Sequence, residues 1–408
     1  MSDELSKLRT FVRDSRSEMI ALETLLTKIK ALAPENGGQG EFEKAAALTQ
    51  WLTEHGITDI QRFEAPDSRV QSGVRPSLVA TIPGKSDDFT VWVMAHIDVV
   101  PAGELSLWNT DPWQVVEKDG RLYGRGVEDN QQGLVSGVFA ALAFVKNGIV
   151  PAHTVKLLFM ADEENGSKFG MQYLLREHDL FRKNDIILVP DGGDPKGETV
   201  EIAEKHVLWI QLHTVGKQSH GSRPDLGKNA CLAACDLALR LHALEQVFDK
   251  KDPLFEPSYS TFSPTKSLSN VDGINIIPGD DVFCMDCRVL PCYTIEEVMA
   301  EVRRRCDAVE QQYGVKIEVT TPQAESSPAT PVDAPVVKLL ADAVKKVHGK
   351  TVRPIGIGGG TVAAYLRNKG FQAAVWSSLD ETCHQPNEYC IIDNMIADAE
   401  TLAALMLG

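Results

Sequence analysis

A repeated plan of apolar strand, polar turn and helix constrains the fold of this chain more than any other feature. Apolar runs predict strands at 91–95, 155–160, 186–189 and 373–376. Segments with a helical spacing of apolar residues lie between or near these runs, at 134–146, 171–177 and 334–347. Strands that alternate with helices predict an α/β fold, with a mainly parallel sheet and helices on both of its faces.

Most of the histidine and acidic candidates follow the end of one of these strands. The candidates are His96, Asp98, Asp129, the pair Glu163 and Glu164, Asp191 and His384. Ligands of such sheets bind beyond the carboxyl ends of the strands, and carboxylates and imidazoles suit zinc, cobalt or manganese. Taken singly, each residue is more simply a helix cap or a surface group. Their joint order predicts a site for two divalent metal ions.

Two metal ions about 3.5 to 4 Å apart need a bridging carboxylate and further ligands on each side. Asp129 is a natural bridge, and Asp98 is placed two residues after His96 to accept the second N–H of that imidazole. Of Glu163 and Glu164, one is expected to bind metal and the other to take a proton from water as a general base. Their spacing does not decide which residue has which role.

Residues 206–321 follow a different rhythm, which predicts a separate domain. Strands are expected at 206–215, 266–271, 282–289 and 315–320, and helices at 229–247 and 294–313. This β-α-β-β-α-β order is typical of a small ferredoxin-like domain. Several prolines and serines indicate a return linker over 321–331. We therefore expect a catalytic domain made of 1–205 and 322–408, interrupted by an inserted domain of 206–321.

Charge and composition exclude several classes of protein. The net charge is -16, and the chain has no basic stripe of the kind that nucleic-acid binding requires. No apolar run reaches the roughly 18 residues of a membrane span, and the acidic start of the chain does not resemble a signal peptide. The eight cysteines are scattered, as is typical of reduced thiols. We expect a cytoplasmic protein that binds neither nucleic acid nor membranes.

Motifs over nearly the whole chain resemble those of a known family. They are 95–101 (AHIDVVP), 108–113 (WNTDPW), 122–133 (LYGRGVEDNQQG), 161–166 (ADEENG), 216–230 (GKQSHGSRPDLGKNA), 275–279 (NIIPG), 286–288 (DCR) and 384–388 (HQPNE). Each motif is weak alone, but their joint order is specific. It resembles the dinuclear zinc amidohydrolase and peptidase family that contains acetylornithine deacetylase, succinyl-diaminopimelate desuccinylase, aminoacylase, glutamate carboxypeptidase and the carnosine-type dipeptidases.

The resemblance implies a role for each candidate in the metal site. Two divalent ions are implied, with zinc as the first expectation and cobalt or manganese as alternatives. One ion would be bound by His96 and Asp191, the other by Glu164 and His384, and both by Asp129. Glu163 would be the general base, and Asp98 would orient His96. The implied reaction is hydrolysis by a hydroxide that bridges the two ions.

The resemblance also implies that the inserted domain is a lid and a dimerisation domain, so that a homodimer is expected. His220 resembles a lid histidine that reaches the active site of a partner subunit and stabilises the tetrahedral oxygen. Asn275 and Arg288 resemble residues that hold the carboxylate of the substrate, and Gly360 resembles part of a substrate-lining loop. Simpler interpretations stay open, namely a surface turn for His220, an acidic partner on the lid sheet for Arg288, and a tight turn for the glycines at 358–360.

Two departures from the family pattern bear on function. Asn130 and Gln131 stand where the family often has Asp-Lys, and Asp191 is more typical of its dipeptidases and aminopeptidases than of its deacylases. We expect a hydrolase that cleaves the amide bond of a small N-acyl amino acid with a free carboxylate, of the desuccinylase or deacetylase type. A dipeptidase or aminopeptidase is the alternative, and a non-catalytic metal-binding protein is the third interpretation.

Overall fold

The structure, a computed structural model, describes residues 2–268 and 270–408. Met1 of the predicted catalytic domain, and Ser269 within the strand predicted at 266–271, lie outside the described residues. The chain divides into two units. The first unit comprises Met1–Ile202, Thr330–Pro354 and Thr361–Gly408. The second unit comprises Ala203–Ala329 and Ile355–Gly360.

The helices over the described residues are α1 (Asp3–Asp14), α2 (Arg16–Thr27), α3 (Phe42–His55), α4 (Gly133–Asn147), α5 (Met171–Glu177), α6 (Ala230–His242), α7 (Ile295–Tyr313), α8 (Pro335–His348), α9 (Val362–Asn368) and α10 (Ile392–Leu407). Among these described helices, none combines the length and the apolar composition that crossing a membrane would require.

The strands over the same residues are β1 (Ile60–Pro66), β2 (Val74–Ile82), β3 (Ser86–His96), β4 (Val116–Lys118), β5 (Arg121–Tyr123), β6 (His153–Met160), β7 (Ile186–Gly193), β8 (Thr199–Glu204), β9 (His206–Val215), β10 (Ser219–His220), β11 (Thr261–Ser267), β12 (Ile276–Ile277), β13 (Asp280–Val289), β14 (Lys316–Glu325), β15 (Arg353–Ile357), β16 (Ala373–Ser377) and β17 (Tyr389–Ile391).

The first unit is built on a sheet with the strand order β1-β2-β6-β3-β7-β16-β8-β15. Its centre is parallel, because β3 pairs in parallel with β6 and β7, and β16 pairs in parallel with β7. Antiparallel pairs join β1 to β2 and β2 to β6. The mixed α/β fold with a mainly parallel central sheet, predicted from the sequence, is confirmed.

Helices cover both faces of this sheet. Successive side chains of a strand point to opposite faces, so the apolar residues on each face need a helix to bury them. On β3, Trp92 and Met94 belong to a buried cluster that includes residues of α5 and α9. Val93 points to the opposite face, where α4 packs. There a Cβ on Gly137 would lie 3.1 Å from Val93 Cγ1, so the missing side chain lets α4 approach the sheet closely.

The second unit contains a four-stranded sheet with the order β11-β13-β9-β14, in which every neighbouring pair is antiparallel. Leu208, Ile210 and Leu212 of β9 are buried in one cluster with residues of α6 and α7. Trp209 lies on the other face of the sheet and is 43% exposed. Strand order and helix placement are those of a ferredoxin-like arrangement.

Two predicted elements of the second unit were misplaced. The strand predicted at 266–271 is instead Thr261–Ser267, which contains Pro264. It lies at the edge of its sheet, where the missing N–H of a proline is tolerated. The linker predicted at 321–331 begins later, because β14 continues to Glu325.

Candidate metal centre

The candidate ligands lie together at one edge of the first unit's sheet. His96 is the last residue of β3, and Asp191 lies near the end of β7. Glu163 and Glu164 form a short helical turn shortly after β6, and His384 lies in the loop between β16 and β17. Because β6, β3, β7 and β16 are adjacent and run in parallel, the segments that follow them meet at the same edge.

Asp129 lies at the centre of this group. It belongs to a wide helical turn over Val127–Gln132, just before α4, and its backbone angles depart from those of a helix. Its Oδ1 lies 2.8 Å from Nε2 of His96, and its Oδ2 lies 3.1 Å from Nε2 of His384. The two oxygens of one carboxylate therefore face two different imidazoles.

Further carboxylates lie on each side of Asp129. Oδ1 of Asp191 is 3.8 Å from Nε2 of His96, and Oε2 of Glu164 is 3.0 Å from Nε2 of His384. Two sets of ligand atoms each fall within 4.8 Å of one another, one from His96, Glu163 and Asp191 and one from His96, Asp129 and Glu164. The structure thus brings together all six residues that the sequence suggests as metal ligands or base.

The electrostatics of this group fit a bound cation. Burial and the neighbouring carboxylates raise the pKa of both Glu163 and Glu164, and burial raises the pKa of Asp191 to about 7. Hydrogen bonds to Asp129 and Glu164 raise the pKa of His384 to about 10. Crowded buried carboxylates resist ionisation unless positive charge is near. A divalent cation would supply that charge, and carboxylate and imidazole donors are ligands that bind zinc.

Asp98 contacts both His96 and the turn that carries Glu163 and Glu164. Its carboxylate accepts hydrogen bonds from the backbone N–H groups of Glu163, at 3.0 Å, and Glu164, at 3.1 Å. Nδ1 of His96 lies 3.0 Å from the backbone carbonyl oxygen of Asp98 and 3.4 Å from its carboxylate. The sequence suggested only a contact with His96. Two loops distant in the chain are in fact joined by this one side chain.

The turn that carries Asp129 is held by a buried carboxylate that sequence reasoning missed. Glu388 accepts hydrogen bonds from the backbone N–H groups of Glu128, at 3.0 Å, and Asp129, at 3.2 Å. Arg125 pairs with Glu388 at 2.5 Å, and both side chains are buried. Glu388 belongs to a motif quoted above, but its partners lie about 260 residues earlier, so no local pattern indicates the contact.

The same turn holds the loop of His384 in return. Glu128 accepts hydrogen bonds from the backbone N–H of Asp380, at 2.8 Å, and from both the N–H and the hydroxyl of Thr382. His384 itself has a backbone φ of 61°, a left-handed conformation that is uncommon outside glycine. The two loops therefore fix each other, and with them the separation of His384 from Asp129.

Asn130, noted above as a departure from the family pattern, contacts Asp191. Its Nδ2 donates to Oδ1 of Asp191 and to the carbonyl oxygen of Pro190, the latter at 3.1 Å. The amide orients the carboxylate without adding a negative charge to an already acidic cluster. The departure leaves the cluster intact.

Two predicted substrate residues are neighbours in the second unit. His220 pairs with Ile276 between β10 and β12, and the N–H of Gly221 donates to the carbonyl oxygen of Asn275 at 2.6 Å. The N–H of Ser222 donates to Nδ1 of His220 at 3.1 Å. A neutral ring that accepts at Nδ1 carries its proton on Nε2. The His220 side chain is exposed, and in that tautomer its Nε2–H is available to donate.

Arg288 lies beside the glycine turn of the second unit. Its Nε and Nη2 donate to Asp286 at 2.7 and 3.0 Å, and its Nη1 donates to the carbonyl oxygen of Gly358 at 2.8 Å. The acidic partner that the sequence analysis left open for Arg288 is thus Asp286. Gly360 belongs to the same turn, which connects β15 to α9 in the chain, and the substrate-lining role expected for it stays a prediction.

Comparison with known sequences gives a consistent family. Residues 92–408 match the sequence model of Peptidase family M20/M25/M40. An uncharacterized metallohydrolase of Methanocaldococcus jannaschii is 39% identical over an alignment of 409 positions. That alignment covers 96% of this chain and 100% of that protein. A succinyl-diaminopimelate desuccinylase of Nitratiruptor sp. is 25% identical over 380 residues, which cover 91% of this chain and 94% of that protein.

A solved structure agrees with these relatives in fold. The crystal structure of human carnosine dipeptidase 1 superposes with a TM-score of 0.80 at 18% identity, and the match covers 100% of this chain and 98% of that one. The family resemblance inferred from the motifs is therefore confirmed. This chain belongs to Peptidase family M20/M25/M40 and is a metal-dependent hydrolase that acts on amides or peptides.

Proposed function

We propose that this chain is a di-metal hydrolase that cleaves the amide bond of a small N-acyl amino acid, of the desuccinylase or deacetylase type. The observation that carries the proposal is the position of Asp129, whose two oxygens face His96 and His384 at 2.8 and 3.1 Å. A carboxylate placed in this way can serve two cations at once. Zinc suits the donors best, with cobalt and manganese as alternatives.

The ligands divide over the two sides of Asp129. His96 and Asp191 would hold one ion, and Glu164 and His384 the other. When bound, two such ions polarise a carbonyl group and lower the pKa of a coordinated water. Every other part of the reaction falls to side chains of the protein.

Glu163 is the proposed general base. It lies on the same side as His96 and Asp191, and its backbone N–H is fixed by the carboxylate of Asp98. A base in this position takes a proton from the attacking water and passes it to the leaving amine. Glu164 is assigned as the ligand of the pair because its carboxylate contacts His384.

His220 is proposed to stabilise the oxyanion that forms on the substrate carbonyl. Nδ1 of this exposed histidine accepts the backbone N–H of Ser222, so the donor to the oxyanion would be Nε2–H. A single donor of this type commonly contributes about 10²–10³ in rate. The proposal gives the second unit, expected at 206–321 from the sequence, the role of a lid domain whose histidine would act in the active site of a partner subunit, as the family resemblance implies.

Arg288 is proposed to hold the free carboxylate of the substrate. A guanidinium has five N–H donors. Three of them donate to Asp286 and Gly358, so two N–H groups have no partner among the described residues. The two remaining N–H groups, one on each terminal nitrogen, are the donors proposed for the substrate carboxylate. Asn275 and Gly360 complete the proposed contacts with the substrate.

One observation favours a second candidate, a dipeptidase or aminopeptidase with the same machinery. Position 191 is an aspartate, and it lies in the cluster as a ligand candidate. In the family to which the motifs are similar, dipeptidase branches more often have aspartate here. The two candidates share every proposed catalytic residue and differ only in the acyl group that they accept.

A panel of substrates tests the proposed function. The enzyme, reconstituted separately with zinc, cobalt and manganese, is given N-acetyl and N-succinyl amino acids beside dipeptides. We expect turnover of N-acyl amino acids, and its loss when the substrate carboxylate is blocked as an amide. Turnover of dipeptides alone would replace the first candidate by the second. A protein that binds metal but hydrolyses no member of the panel would contradict both.

A homodimer through the second unit is also proposed. Helix α6 exposes Leu232 (54%) and Leu239 (72%), seven residues apart and so on the same side of the helix. We expect the protein to sediment as a dimer, and Leu239→Glu to sediment as a monomer, because a buried unpaired charge opposes association. Val332→Glu, at a similarly exposed apolar site of the first unit, should remain a dimer. A monomeric wild-type protein would contradict the proposal.

The cytoplasmic location expected from the sequence stays a prediction.

A further inference from the structure

A fully buried arginine contacts the residue that leads into the turn of Glu163 and Glu164. Arg75 belongs to β2, and its side chain is 0% exposed. A glycine leaves room for it, because a Cβ on Gly40 would lie 2.7 Å from Cδ of Arg75. Removing a guanidinium group from water is unfavourable unless carboxylates pair with it and accept its hydrogen bonds. The partners of Arg75 therefore indicate its role.

Two buried carboxylates accept hydrogen bonds from Arg75. Its Nε donates to Oε2 of Glu41 at 2.5 Å, and its Nη2 donates to the other oxygen of that carboxylate. The same Nη2 donates to Oδ1 of Asp162 at 3.2 Å. Glu41 is 0% exposed and Asp162 is 2% exposed. The buried pair, Arg75 and Glu41, is thus joined directly to a residue 121 positions after Glu41 in the chain.

Asp162, the residue just before Glu163, holds the loop that follows it. Its Oδ2 accepts the N–H of Phe169 at 2.9 Å, and its carbonyl oxygen accepts the N–H of Ser167 at 2.6 Å. Its own N–H donates to Oε1 of Glu41 at 3.3 Å. Its backbone φ is 62°, which is uncommon outside glycine. Such a conformation persists where surrounding contacts fix it, and the buried pair supplies contacts of this kind.

The backbone of Asp162 determines where the two glutamates point. A rotation about φ or ψ at this residue would move every atom of the turn that follows. Asp98 accepts the N–H groups of Glu163 and Glu164 at 3.0 and 3.1 Å, but the buried pair contacts the residue before them. The turn is therefore held at two places, by Asp98 within it and by the buried pair at its start.

We propose that Arg75 is a positioning residue of the metal centre, which fixes the backbone of Asp162 and so the direction of the two glutamates that follow. The inference rests on the proposed di-metal function. Arg75 lies outside every motif quoted above, on a strand that carries none of the candidate ligands. Its role depends on the guanidinium fork, because a lysine has one nitrogen and cannot hold both carboxylates in the same way.

The first measurement is amide hydrogen exchange in the metal-free protein. It follows the fragment 161–170 by mass spectrometry, in wild type and in Arg75→Lys. We expect this fragment to exchange about tenfold faster in the variant, because a hydrogen bond to a charged group commonly contributes at least that factor. The measurement needs neither metal nor substrate, so it reports on the turn independently of the proposed function.

The second measurement is the binding of cobalt to the metal-free protein. Affinity and the visible absorption of the bound ion are both recorded. We expect Arg75→Lys to bind cobalt about 10- to 100-fold more weakly and with a changed absorption band, as loss of a residue that supports metal ligands typically causes. The band reports the arrangement of ligands, which a lower stability alone would not change.

Arg9→Lys is the matched control. Arg9 of α1 pairs with the buried carboxylate of Glu400 of α10, with Nη2 and Oε2 2.9 Å apart. The substitution also keeps the charge and loses the fork, but at a pair that joins two helices. It should lower Tm and leave both the exchange of the fragment 161–170 and the cobalt absorption unchanged.

Asp162→Asn tests the same contact from its other side. Asparagine tolerates the left-handed conformation but removes the charge that faces Arg75. The pair of Arg75 and Glu41 stays in place, so this variant decides the matter if Arg75→Lys does not fold. We expect faster exchange of the fragment 161–170 and weaker cobalt binding, as in Arg75→Lys.

Wild-type exchange in folded Arg75→Lys would overturn the inference, and so would an equal acceleration in Arg9→Lys. Faster exchange with wild-type cobalt affinity and absorption would also overturn it, because the turn would then not position the ligands. A wild-type protein that binds no cobalt, zinc or manganese would instead overturn the proposed function. The exchange data would still decide whether Arg75 holds the turn.

Discussion

Glu163→Ala is expected to abolish turnover while the protein keeps its full metal content. The variant removes the proposed base, and general acid–base catalysis commonly contributes about 10²–10⁴ in rate. It leaves His96, Asp129 and His384 in contact, so the proposed cation sites should keep these ligands. The measurements are kcat on the best substrate of the panel and metal content by elemental analysis of the same sample.

Glu164→Ala is the matched control, because it removes the adjacent carboxylate from the same short turn. It should lose metal, since Glu164 contacts His384. The opposite pattern, with metal lost in Glu163→Ala and kept in Glu164→Ala, would exchange the two roles. Near-normal turnover in Glu163→Ala would show that neither assignment of the base is right.

Asp129→Ala should have the largest effect on metal binding of any single substitution. The side chain faces both imidazoles, so its loss should weaken both proposed cation sites at once. We expect the purified variant to carry little metal and to show no measurable turnover with zinc, cobalt or manganese added. Equilibrium dialysis against each metal gives the number of ions bound per chain.

Asp185→Ala controls for the loss of any buried carboxylate. Asp185 accepts hydrogen bonds from the N–H of Thr90, at 2.8 Å, and from the indole of Trp92, at 2.9 Å, near the start of β3. Its removal leaves buried donors unsatisfied, which typically costs about 1–3 kcal/mol. The protein should therefore be less stable but bind metal normally. Equal metal binding by Asp129→Ala and wild type would contradict the bridging role.

The central sheet could be predicted from the sequence because its parallel strands are buried on both faces. Such strands are nearly continuous apolar runs, as at 155–160 and 186–189, and their order along the chain defines the edge where ligands collect. The edge strand Thr261–Ser267 was misplaced for the converse reason. Most of its side chains are polar and exposed, and Pro264 favours a loop in any local interpretation.

The cluster of ligand candidates could be predicted for a similar reason, since each candidate follows an apolar strand or lies in a family-like motif. The side chains that hold the cluster could not. Glu388 and Glu128 act on backbone groups more than 250 residues away, and buried carboxylates of this kind leave no periodic signal in the sequence.

The most direct measurement is a crystal structure of the protein grown with zinc, with anomalous diffraction recorded at the zinc absorption edge. We predict two anomalous peaks, one on each side of the Asp129 carboxylate, next to His96 and to His384. A single peak there would show that the centre binds one ion and not two. An absence of peaks, with these three side chains apart, would contradict the account as a whole.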